Sequence, residues 1–177
     1  RAIADMHTCE GSSLPPRDAI SVQIEATRSF LAIILPERIT LIDDLAKRLE
    51  SRLARTDHGR SQLVHGDLHP GQIILTEGRL GVIDLDRVHA GDPLEDVGNL
   101  RAQLWLGPHD GMHYDPEKAF AAFLQEYARL RTVTPLQLDT WTALSLYRSA
   151  VVPLGRFQSD WRNRAYAILQ EADRFLS

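Results

Sequence analysis

Between Gln62 and Asp84 the chain abandons the helical periodicity found on both sides of it, and that interruption narrows the folds it can adopt. Gln62-Leu63-Val64-His65 and Gln72-Ile73-Ile74-Leu75 read as short extended runs, and Arg79 to Asp84 as a third. Glu77-Gly78 between the last two is a tight-turn signal, so the spacing predicts a small hairpin. Everything around this stretch is patterned for helix. Ile3 and Met6 stand at helical spacing in Ala2 to Cys9, and Gly11 to Pro16 is a break of Gly, Ser and Pro. From Arg17 to Leu35 the residues Ile20, Ile24, Phe30, Leu31 and Ile34 share a face until Pro36 stops the run. Glu37 to Ala54 follows, carrying Ile39, Ile42, Leu45, Leu49 and Leu53.

Beyond the hairpin the helix starts are punctuated. Asp92-Pro93-Leu94-Glu95 sets an N-cap, a first-turn proline and a capping-box acid in order. Asp115-Pro116-Glu117 and Thr134-Pro135-Leu136-Gln137 repeat the device, and a last helix is expected over Asp160 to Leu176. The expected fold class is therefore α+β, mainly helical, with a small β-hairpin in its middle. No repeat, low-complexity stretch or linker divides the chain, so residues 1–177 are expected to form a single domain.

Composition excludes several functions. With 44% hydrophobic and 25% charged residues the chain can bury a core, and disorder is a poor reading. A formal charge of −4 gives no electrostatic case for binding nucleic acid or an anionic membrane. The lone Cys9 rules out an internal disulfide framework and any multi-cysteine zinc site. Apolar runs such as Phe30 to Pro36 fall far short of the roughly 20 residues that span a bilayer. No basic-then-apolar leader pattern follows Arg1, so a cytoplasmic setting is expected.

The chemistry concentrates in Val64-His65-Gly66-Asp67-Leu68-His69-Pro70-Gly71-Gln72 and Val82-Ile83-Asp84-Leu85-Asp86. Glycines and a proline fix a rigid, non-repetitive loop between extended runs, the kind of frame that holds reactive side chains. A carboxylate closing an apolar strand, as Asp84 does, needs a partner or a cation. Asp84, the Gln72 amide oxygen and phosphate oxygens around one hard cation would suit Mg²⁺. Asp67 is then free to take a proton from an attacking hydroxyl. Asp86 either helps hold a second metal or pairs with a neighbouring Arg such as Arg87.

His65-Gly66-Asp67 with Gln72 five residues on, then Ile83-Asp84-Leu85-Asp86, resembles the aminoglycoside phosphotransferase family, whose relatives include choline kinases and maltokinases. Gln72 stands where the family usually has Asn. Gly91-Asp92-Pro93 and Asp96-Val97-Gly98-Asn99-Leu100 resemble its next segment, in which a buried Asp braces the catalytic loop. The resemblance implies a protein-kinase-like C-terminal lobe and an ATP-dependent, Mg²⁺-assisted transfer of phosphate to a small-molecule hydroxyl. It makes Asp67 the base, Gln72, Asp84 and Asp86 the metal and nucleotide ligands, and His65 and Asp96 the bracing residues. It also implies an N-terminal lobe of the same polypeptide as partner. Lys47 and Lys118 both sit in helical patterns, and no Gly-rich strand-turn-strand precedes the loop, so this lobe is expected to lie outside the chain.

Two other readings fit the same residues. One is a non-catalytic kinase-like binding module. The other is a metal hydrolase using His65, Asp67 and His69, although no second His pair follows at ligand spacing. The remaining histidines, His7, His58, His89, His109 and His113, read as solvated or packed side chains.

Overall fold

The computed structural model describes residues 1–11, 13–14, 19–55 and 62–177. The expected start of the second helix at Arg17, half of the Gly11–Pro16 break and His58 lie outside the described residues. Eight α-helices and four short strands are present among the rest. They group into two compact units, residues 1–17 with 57–138 and residues 18–56 with 139–177.

The first unit holds all four strands. Helix α1 (Ala2–Met6) buries Ile3 and Ala4 and ends at His7. Strand β1 (Gln62–Val64) pairs antiparallel with β4 (His89–Gly91), placing Val64 opposite His89. Strands β2 (Ile73–Thr76) and β3 (Arg79–Val82) form the expected hairpin, with Thr76 opposite Arg79. Glu77 (φ 50°) and Gly78 (φ 74°) are both left-handed. Their twist matches that of the strands, which explains why this pair joins them. The sequence reading missed β4, so the unit has two two-stranded sheets and not one hairpin. His89-Ala90-Gly91 carries no alternating apolar pattern, and only its tertiary pairing makes it a strand.

Helix α4 (Leu94–His109) buries nearly its whole first turn. Asp92 caps it as expected: its Oδ1 accepts the Leu94 N–H at 2.9 Å. Glu95, however, is no capping-box acid. Its carboxylate turns to His89 Nε2 at 3.2 Å, which β4 brings to it. Helix α5 (Pro116–Ala128) starts at Asp115, whose side chain accepts the Lys118 N–H. It packs against α4.

The second unit contains α2 (Ile20–Ile34), α3 (Ile39–Leu53), most of α6 (Pro135–Ser149), α7 (Val152–Gly155) and α8 (Trp161–Leu176). Pro36 opens a one-turn 3-10 helix that separates α2 from α3. Ile24, Leu31, Ile42, Leu45, Leu49, Leu144 and Leu169 are fully buried, each contributing about 1.5–3 kcal/mol by leaving water. Arg48 pairs with Asp44 and Asp173, tying α3 to α8. Among the described residues no helix is long and apolar enough to cross a membrane.

Candidate active site

The loop from His65 to Gln72 lies wholly in the first unit, between β1 and β2. Its backbone turns at Gly66, where φ is +80° and an added Cβ would sit 2.5 Å from the Arg87 carbonyl oxygen. No side chain fits there. After that turn the residues alternate in role. His65 and Leu68 are fully buried, whereas Asp67 keeps 37% of its side chain exposed.

His65 ties the loop to the hairpin. Its Nδ1 accepts the Asp67 N–H at 3.3 Å, so the ring proton sits on Nε2 and is donated to the Ile83 carbonyl at 2.9 Å. His69 Nδ1 accepts the Gly71 N–H at 3.1 Å and opens the single 3-10 turn Pro70–Gln72. Both ring nitrogens of His65 are thus committed to backbone groups. Among the described residues no group of three or more His, Cys, Asp or Glu is placed to hold a metal ion, which leaves the hydrolase reading without a ligand set.

Gln72 is 7% exposed and reaches across to the strand end. Its carbonyl accepts the Ile83 N–H at 3.0 Å, and its side-chain amide donates to Asp84 Oδ2 at 2.8 Å. Strand β3 stops at Val82, so Asp84 does not close it but lies two residues beyond. There it adopts a left-handed conformation (φ 62°, ψ 62°), which costs a non-glycine residue about 1 kcal/mol or more and is held only where the surroundings demand it. Its carboxylate is exposed, as is that of Asp86 in the following turn. Arg87, one of the two partners open to Asp86 by sequence, brings its Nε to 3.9 Å from Asp67 Oδ2.

Beneath the loop sits Asp96, fully buried in the first turn of α4. Its Oδ2 accepts the His65 N–H at 2.7 Å and His7 Nε2 at 3.0 Å, and its Oδ1 accepts the Gly66 N–H at 2.9 Å. Asn99, one turn further on, donates to the Leu68 carbonyl at 2.9 Å. The loop backbone is therefore gripped from α4 at three points. Sequence reasoning passed over His7, which is fully buried and also bonds Tyr127 at 2.7 Å. One signal was present: His7 stands four residues after Ile3, on the buried side of α1. Tyr127 and Arg131, 120 and 124 residues away from His7, gave none.

Residues 1–133 match the model of the phosphotransferase enzyme family. No curated protein matches the chain. Solved structures do. A choline/ethanolamine kinase family protein from Mesorhizobium loti superposes with a TM-score of 0.70 at 16% identity, over 99% of this chain and 60% of that one. The choline kinase LicA from Streptococcus pneumoniae gives 0.68 at 20% identity, over 99% and 61%. Amicoumacin kinase hAmiN, solved with AMP-PNP, Ca²⁺ and Ami, gives 0.61 at 16% identity, over 76% and 44%. At such identities the likeness is one of fold, mainly helical and kinase-like. The chain spans about three fifths of the length of the first two.

Proposed function

The chain belongs to the phosphotransferase enzyme family, and on that premise we propose that it carries the catalytic residues of an ATP-dependent enzyme that phosphorylates a hydroxyl of a small molecule. One observation carries this reading: a half-exposed Asp67 on a loop locked from below and tied through His65 to the hairpin end, where Asp84 is held left-handed against Gln72. Phosphoryl transfer asks the protein for position and charge more than for covalent chemistry, and this arrangement supplies both.

Asp67 orients the acceptor hydroxyl and takes its proton as the bond to phosphorus forms. Its pair with Arg87 is long and the guanidinium is 63% exposed, so water screens it and an incoming hydroxyl can replace it. The donors at the hairpin end fit Mg²⁺, a cation held by one or two carboxylates together with phosphate and water. Asp84 and the Gln72 amide oxygen would hold it, with Asp86 within the next turn. When bound, the ion neutralises charge on the transferring phosphate. The Gln72 amide nitrogen is the end now on Asp84, which fixes the direction of that carboxylate. Ile74, Leu75, Leu80, Ile83 and Leu85 are large, apolar and exposed around the hairpin, Leu75 at 74%. Such a patch supports a covering N-terminal lobe of the same polypeptide. ATP supply places the reaction in the cytoplasm.

The test uses the full-length protein with [γ-³²P]ATP and Mg²⁺ against a panel of hydroxylated acceptors. Turnover should depend on one acceptor class and fall roughly 10²-fold or more in Asp67→Asn, the scale of a lost general base. Failure to bind ATP with Mg²⁺, or full turnover in Asp67→Asn, refutes the reading. Binding without turnover on any acceptor would favour a kinase-like binding module.

A further inference from the structure

Asp96 holds the loop, and what holds Asp96 is a chain of side chains drawn from both ends of the first unit. An ionised carboxylate only accepts, so the His7 Nε2 that lies 3.0 Å from Asp96 Oδ2 carries a proton. Its other nitrogen, Nδ1, lies 2.7 Å from the Tyr127 hydroxyl. Two arrangements satisfy that contact. Either Nδ1 accepts the phenol proton, or the ring is doubly protonated and donates to the phenol oxygen.

Arg131 bears on the choice. Its guanidinium donates to the His7 carbonyl and to Gln62 Oε1, which sets a fixed cation against His7. A ring with its one proton on Nε2 leaves Nδ1 bare, and the Tyr127 hydroxyl then donates to it. A second ring proton would place a second cation beside that of Arg131, which disfavours it. Burial pushes the Tyr127 phenol up to about 12, so it stays a donor at any working pH. Phe123 fixes the ring by stacking on it at 5.6 Å, and His7 meets its edge at 5.8 Å.

We infer that Tyr127 and Arg131 are positioning residues: they hold His7 in the tautomer with its one ring proton on Nε2, and that proton fixes Asp96 under the amides of His65 and Gly66. The hydrogen bonds then run one way, from Tyr127 through His7 to Asp96, with Arg131 on the His7 carbonyl. Asp67 is two residues from the first amide and one from the second. The effect on turnover rests on the phosphotransferase reading; the tautomer does not.

Nitrogen-15 NMR of the full-length protein labelled at histidine tests the tautomer, with His7 assigned by its absence from a His7→Gln variant. His7 is expected to show a protonated Nε2 and a bare Nδ1. In Tyr127→Phe nothing fills Nδ1, so a second ring proton should become populated beside the one on Nε2, and kcat should fall about tenfold at unchanged KM, the scale of one lost hydrogen bond. His7→Gln keeps a donor for Asp96 and an acceptor for Tyr127, so its kcat should stay within about threefold of the parent while His7→Leu loses far more. Two ring protons on His7 in the parent protein overturn the inference, and that spectrum decides even where a variant fails to fold. A Tyr127→Phe protein with the parental tautomer and kcat overturns it equally. An inactive parent with the expected His7 spectrum supports the relay and counts only against the phosphotransferase reading.

Discussion

Asp96→Asn isolates the brace, because it changes charge and hydrogen-bonding sense without changing shape. Asp96 is fully buried and accepts three donors, two on Oδ2 and one on Oδ1. An asparagine keeps the most bonds by placing its oxygen at the Oδ2 position. The bonds to His65 N–H and His7 Nε2 then survive but lose their charge assistance, at about 1 kcal/mol each. The NH₂ group meanwhile meets the Gly66 N–H, 2.9 Å from the atom it replaces. Donor faces donor, and a buried amide left without a partner costs about 1–3 kcal/mol. The expected loss is about 3–5 kcal/mol, a large part of the roughly 5–15 kcal/mol that stabilises a typical domain. Urea unfolding followed by far-UV circular dichroism measures the total, and hydrogen exchange at Gly66 reads the local term. A loss below about 1 kcal/mol, or unchanged protection of the Gly66 amide, would show that the carboxylate does not hold the loop.

Gly66→Ala combines left-handed strain with a Cβ 2.5 Å from a backbone oxygen, and should cost about 2–4 kcal/mol, whereas Gly81→Ala, with nothing within 4 Å, should stay within about 0.5 kcal/mol. Thermal unfolding of the two variants side by side checks the contrast. The Lys118 N–H holds the Asp115 carboxyl below its ordinary value of 3.8. A depressed acid contributes stability above its unfolded pKa and loses it as pH falls through the folded one, so the α5 cap should fail only below that ordinary value. A carbon-13 titration of Asp115 that centres at or above 3.8 would refute this.

Local chemistry was legible wherever neighbours in sequence settle it. The Asp115 cap, the Glu77-Gly78 turn and the β2–β3 hairpin each depend on residues within a few positions, and each forms as the sequence reads. Asp92 caps α4 for the same reason, while Glu95 leaves the cap because β4 brings His89 to it. The block from His65 to Asp96 was readable because its residue types and spacings are themselves the signal. It named Asp84 and Gln72 together, and the structure sets them 2.8 Å apart.

The sequence alone determined the mainly helical class, the place of the hairpin and the stretch proposed to hold the chemistry, since these follow from periodicity, turn residues and a short motif. Tertiary structure alone decided the partners of the brace. His7, Tyr127 and Arg131 are apolar-face or surface residues by local pattern, and they acquire a role only when folding removes water around Asp96. It also turned Arg87 toward Asp67 and twisted Asp84 into a left-handed backbone. A buried charge must find its donors wherever the chain brings them, and no spacing along the sequence records that search.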